Sequence, residues 1–141
     1  MITHKSGKIA EMIQGLEGHG LDPHYLGFFE CFNRQQFYEA HDVLEELWLD
    51  CRGGTLDEFY KALIQLAGAF VHLQKERLQA SGKLFRLCRG YFTKYPRTTE
   101  SLDLSKIDSL INDWLTWLEA DSYEKNPFHS QNPPKIRLLG N

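Results

Sequence analysis

Six residues have the types and spacing to do chemistry: Glu39, His41, Glu45 and Trp48 in one stretch, Gln65 and His72 in another. On a helix of about 100° per residue, His41 falls on the face made by Phe37, Leu44 and Trp48, with Glu45 one turn on at its edge. Glu39, Asp42, Glu46 and Asp50 fall on the opposite side, where water belongs. His41 and Glu45 are therefore polar groups directed at a core, and each needs a partner. In the second stretch Glu58, Gln65, His72 and Glu76 recur at seven, seven and four residues as one polar stripe. Ala62, Gly68 and Ala69 flank it and are small enough to let a neighbouring helix approach. An antiparallel hairpin across residues 51–55 sets His41 and Glu45 against Gln65 and His72.

Two chemistries fit that grouping. His41, Glu45 and His72 could be a two-histidine, one-carboxylate metal site inside a helical bundle, with Gln65 behind it. Zinc, iron or manganese suits those donors, and an open coordination position would activate water for hydrolysis. Alternatively the four groups form a hydrogen-bonded network that fixes helix register and binds nothing. The run EAHDVLEE lacks the HExxH spacing of established metal sites, so the network is preferred. Under either reading the His41 ring should be mostly buried, within reach of Glu45 and of Gln65 or His72. Its replacement by alanine should then cost about 2–4 kcal/mol.

The elements that must hold these residues are helices. Ile9, Met12, Ile13 and Leu16 mark a short amphipathic run in the glycine-rich first 20 residues. Asp22-Pro23 reads as an N-cap with proline at the first helical position, opening a helix through Phe28, Phe29 and Phe32 to about Asn33. Gln36 to about Asp50 carries apolar residues at helical period, and Arg52-Gly53-Gly54 stops it. Thr55 and Glu58 have capping-box spacing. The helix from about 56 to 76 is apolar around most of its circumference, which is the pattern of a buried central helix. A fourth spans about 78 to 94, and Ser105 caps a fifth with Ile107, Leu110, Ile111, Trp114 and Leu118 on one face. The prolines after Asp121 bar a helix, so residues 122–141 read as an extended arm whose Ile136, Leu138 and Leu139 dock on the core. No β-type alternation of useful length appears. A shift of 41 residues superimposes Phe29 on Phe70, Phe32 on Leu73, Phe37 on Leu78, Ala40 on Ser81 and Leu44 on Phe85, a faint sign of two helix hairpins.

Length and composition agree. A chain of 141 residues, 42% hydrophobic and 13% aromatic, can bury a core without metals or disulfides. Its three cysteines, Cys31, Cys51 and Cys88, form no CxxC pair and read as free thiols in a reducing compartment. Charges interrupt every long apolar segment, and the start lacks a secretory signal, which points to the cytoplasm and away from a membrane. The net charge of −3 hides an asymmetry: residues 34–58 sum to −5 and residues 75–97 to +6. The basic stretch could contact nucleic acid through Lys83, Arg86, Arg89 and Lys94. An acidic helix of the same chain is the preferred partner for it, which leaves nucleic-acid binding weak.

The runs Phe37-Tyr38-Glu39-Ala40-His41-Asp42-Val43-Leu44-Glu45-Glu46-Leu47-Trp48, Leu63-Ile64-Gln65-Leu66-Ala67 and His72-Leu73-Gln74 carry a resemblance. They resemble domain-of-unknown-function family 309, small all-helical proteins of bacteria, archaea and plastids. Its pattern is an F-x-E-A-H-[DE]-x-x-E-x-x-W helix and an L-I-Q-L-A…H-L-Q helix. The resemblance runs from about Phe28 to Phe92. It implies a compact all-α fold, no settled activity, and Glu39, His41, Glu45, Trp48, Gln65 and His72 as the characteristic residues. Glu76-Arg77 stands where the family has Gly-Asn. Glu39 lies off the apolar face, so its place in the pattern implies that it clamps or caps a neighbouring element.

The expectation is thus an all-α chain, 1–141 as one helical domain, built as a compact bundle of five to six helices in antiparallel hairpins with an extended Pro-rich C-terminal arm. Its expected function is that of a non-enzymatic binding or scaffold module for a protein or small ligand, open to self-association. A metal-dependent hydrolase built on His41, Glu45 and His72 is the alternative.

Overall fold

The computed structural model describes residues 4–16, 18 and 20–140, with side chains from residue 7 onward. Its helices are α1 (His4–Met12), α2 (Pro23–Asn33), α3 (Phe37–Cys51), α4 (Asp57–Gln74), α5 (Leu78–Phe92) and α6 (Leu104–Ala120). None is long and apolar enough to cross a membrane among the described residues.

Helix α2 starts where the Asp22 side chain accepts the His24 amide at 2.8 Å, with Pro23 in the first turn. Its C-terminal turn has a twin. In the α2–α3 connection the amides of Arg34 and Gln36 both reach the Cys31 carbonyl, and that of Gln35 reaches Phe32. In the α4–α5 connection the amides of Lys75 and Arg77 reach the His72 carbonyl, and that of Glu76 reaches Leu73. Gln35 at φ 64° and Glu76 at φ 60° occupy the left-handed position that such turns require. Each bond recurs 41 residues on, so the repeat in sequence is a repeat of backbone geometry. Two hairpins, α2–α3 and α4–α5, are closed by the same turn.

Two expected caps are replaced by neighbours. Thr55 and Glu58 do not form a capping box. Leu56 takes the cap position without a side-chain bond, while Asp57 accepts the Gly53 amide and the Trp48 indole, both at 2.7 Å. Glu58 turns away to Lys94 at 2.8 Å. At α6 the cap is Asp103, whose carboxylate accepts the Ser105 and Lys106 amides at 3.0 and 3.4 Å, so Ser105 lies inside the helix. Asp103 also ends a two-residue antiparallel ladder, β1 (Thr98–Thr99) with β2 (Leu102–Asp103), too short to show alternation in sequence. Its turn holds Glu100 and Ser101 at φ 47° and 58°. The buried Tyr25 hydroxyl donates to the Glu100 carbonyl at 2.8 Å and the Leu139 amide to that of Ser101 at 2.7 Å.

Helix α4 packs between α3 and α5, α2 covers α3, and α6 covers α5. The core they share is rich in rings: Phe70 meets Phe32, Phe37, Phe85 and Trp114 at centroid distances of 5.0–5.4 Å. Gly82 of α5 admits Tyr123, since a Cβ there would stand 2.7 Å from its ring. Residues 121–140 contain no helix or strand. Within them Ile136 and Leu138 are buried, and Asn33 brackets Ile136 by bonds to its carbonyl and amide, both at 2.8 Å.

Candidate functional site

Two of the six singled-out residues hold the fold together. Trp48 donates its indole N–H to Asp57 across the α3–α4 turn, and the Arg52 guanidinium stacks 5.8 Å from its ring centroid. Glu39 lies 3.7 Å from Lys8 of α1, an ion pair that clamps α1 onto α3.

His41 and Glu45 sit differently from the helical-wheel expectation. The buried residues of α3 are Phe37, Ala40, Val43 and Leu44. Ala40 and Val43 turn the inward face away from Trp48, because α2 reaches in on that side with Gly27 against Val43. His41 is consequently on the rim of the face, its side chain 32% exposed. Its ring nitrogens face Asp42 at 3.2 Å and Glu45 at 3.9 Å, both on its own helix. Asp42, expected in open water, is the better covered of the pair, with its side chain 16% exposed. The Tyr38 ring stacks over His41 at 6.2 Å.

Gln65 and His72 belong to another surface. The α4 stripe that carries them also carries Glu58, Lys61 and Gly68, and all three meet α5 or the residues just after it. Glu58 pairs with Lys94, Lys61 lies 5.2 Å from the Tyr91 ring, and a Cβ on Gly68 would lie 3.1 Å from Leu84. The stripe therefore faces α5, while α3 meets α4 elsewhere, where Phe37 stacks on Phe70. Gln65 Oε1, His72 Nδ1 and Ser81 Oγ of α5 are buried without hydrogen-bond partners among the described residues. Burial, with Arg77 and Lys75 nearby, holds the His72 imidazole below its ordinary pKa and favours the neutral ring. Among the described residues no group of three or more His, Cys, Asp or Glu is placed to hold a metal ion.

Three further residues were not legible as site or scaffold. Asp57 is the hub of the α3–α4 turn, and its two hydrogen bonds, from Gly53 and then Trp48, pull its pKa below the ordinary carboxylate value. His24 bridges Asp22 at 2.9 Å and Glu46 of α3 at 3.1 Å; the Asp-Pro-His run signals a helix start but not that bridge. Ser81 enters the sequence repeat only as the counterpart of Ala40, which gives no sign of its buried hydroxyl. His4 and His19 lie outside the residues whose side chains are described.

The basic segment is answered mainly by α6. Arg86 lies 3.7 Å from Glu119, Arg97 2.7 Å from Asp108, and Arg89 donates to Asn112 at 2.9 Å. Of the acidic 34–58 segment only Glu58, through Lys94, forms an ion pair with it among the described residues.

With that geometry in hand, the family model described as "Domain of unknown function (DUF309)" matches residues 25–84. Over these residues the chain is similar to the DUF309 family. The matched segment runs from Tyr25 in α2 to Leu84 in α5, so it contains all six singled-out residues and both copies of the repeated turn. Helix α6 and the C-terminal residues that buttress α5 lie outside it. Comparison with curated proteins and with solved structures found no match.

Proposed function

We propose that this chain works by binding another protein chain through the outer face of the α3–α4–α5 layer, as a non-enzymatic interaction module. The observation that carries the reading is the exposure of Tyr38 and Leu49 on α3 and of Leu87 on α5, at 57%, 46% and 46%. Large apolar side chains gathered on one face and rimmed by charge mark protein interaction surfaces. The Tyr38 ring stacks over His41, so on this reading His41 and its helix neighbours Asp42 and Glu45 serve recognition.

The test is site-specific crosslinking. A photoreactive amino acid in place of Leu49 should give discrete protein adducts, and one in place of the exposed Thr116 on α6 should give none. Equal adducts at both positions would overturn the reading. So would stoichiometric zinc, iron or manganese in protein purified without a histidine tag, which would favour the metalloenzyme built on His41, Glu45 and His72.

A further inference from the structure

We infer that the cleft between α6 and the C-terminal residues binds a small zwitterion, with its quaternary ammonium at Trp117 and Asp113 and its anionic group at Lys106. The site is separate from the outer face of α3, α4 and α5, and it stands without that reading.

The cleft holds about 480 Å³ and runs between one side of α6 and residues 132–134. A volume of that order suits a small molecule. Trp114 and Trp117 both line it, with ring centroids 5.0 Å apart and planes at 76°. Trp114 is buried, whereas Trp117 is 45% exposed, so its indole remains open to a ligand. The negative face of such a ring attracts a cation, and a quaternary ammonium is the cation that loses least hydration in reaching it.

Asp113 adds a full charge to that attraction. It lies one turn before Trp117 on α6, exposed and in the same cleft. Lys106 stands toward the other end, two turns before Asp113 or about 10 Å along the axis, with Leu110 between them. Elsewhere on α6, Asp108 and Glu119 are taken up by Arg97 and Arg86. Neither Asp113 nor Lys106 has an ion pair with another described residue.

A simple cation would use Trp117 and Asp113 and leave Lys106 unanswered, and a simple anion would use Lys106 alone. An uncharged sugar could stack on Trp117 but would leave both charges idle. A zwitterion answers both ends, with the flexible stem of Lys106 adjusting to its length. Ser105, Ser109 and Asn132 also line the cleft and can bond the oxygens of the anionic group. None of the lining residues falls within the segment that the family model matches.

Isothermal titration calorimetry on the intact chain tests this, with phosphocholine and choline as probes. Phosphocholine should bind saturably, and choline about threefold more weakly for want of one exposed charge contact. Trp117→Ala should weaken both probes by about tenfold, and Trp117→Phe by less. Asp113→Asn should weaken both by about threefold. Lys106→Gln should bring phosphocholine down to the level of choline and leave choline no weaker. Circular dichroism and melting of each variant separate lost binding from lost folding. Trp117→Phe keeps a ring against Trp114, so it carries the test if Trp117→Ala melts early. A Trp117 indole N–H resonance unmoved by millimolar phosphocholine overturns the inference. So does glycerophosphate that binds as tightly as phosphocholine, or phosphocholine binding that Trp117→Ala and Trp117→Phe both leave unchanged.

Discussion

The Trp48 indole and the Asp57 carboxylate meet at 2.7 Å across the turn that folds α3 onto α4, and Asp57 also accepts the Gly53 amide at 2.7 Å. One carboxylate thereby ends one helix and begins the next. Trp48→Phe keeps most of the ring's packing and removes the N–H donor, so it should cost about 1 kcal/mol in chemical denaturation. A loss no larger than experimental error would show that the bond contributes nothing to the turn.

Asp57 also sets an acid limit. Its pKa is lowered by the Gly53 amide and the Trp48 indole, so its contribution to stability is present above the unfolded carboxylate pKa and disappears as pH falls through the lower folded value. The melting temperature should drop on acidification below about pH 4. Asp57→Asn should be less stable at neutral pH and show a shallower drop. Parallel curves for the two proteins would contradict this.

His72 acts in a higher window. Its folded pKa lies below the ordinary 6.5 because burial, then Arg77 and Lys75, disfavour the charged ring. The unfolded chain therefore takes up this proton first. Stability from the neutral ring is full above about pH 6.5 and declines as pH falls through the folded value. His72→Gln should flatten that slope while leaving the step assigned to Asp57. Titration of the His72 ring by NMR at or above 6.5 would refute it.

His41 should matter less to folding than its sequence suggests. With a side chain 32% exposed and partners on its own helix, His41→Ala should cost under about 1 kcal/mol, short of the 2–4 kcal/mol expected of a buried ring. A loss in the larger range would place the ring in the core after all.

Duplex DNA or RNA should bind weakly at physiological salt, because α6 and Glu58 already engage Arg86, Arg97 and Lys94. Fluorescence anisotropy across a salt series should give a shallow slope, since few phosphates can be neutralised. A tight complex with a steep slope would mean that those pairs open for phosphate.

Much of this molecule is determined by sequence that acts locally. The Asp22-Pro23 start, the stop after Cys51 and the apolar circumference of α4 each act within a few residues of themselves, and each is legible there. The 41-residue offset was legible too, because equal spacing of Phe29 and Phe32 with Phe70 and Leu73 reflects equal turns at Gln35 and Glu76. What tertiary structure alone decided is which way each helix turns and which distant group answers each polar one. Periodicity fixes the angle between His41 and Leu44 but not the rotation of α3 as a whole; α2, arriving with Gly27 against Val43, set that and moved His41 to the rim. Likewise the stripe of Gln65 and His72 was readable, whereas its turning toward α5 depended on Leu84, Tyr91 and Lys94 meeting Gly68, Lys61 and Glu58. A capping motif can be outcompeted in the same way, as Trp48 and Asp57 outcompeted Thr55 and Glu58. Local preferences are worth about a kilocalorie or less each, and burial between helices outweighs them.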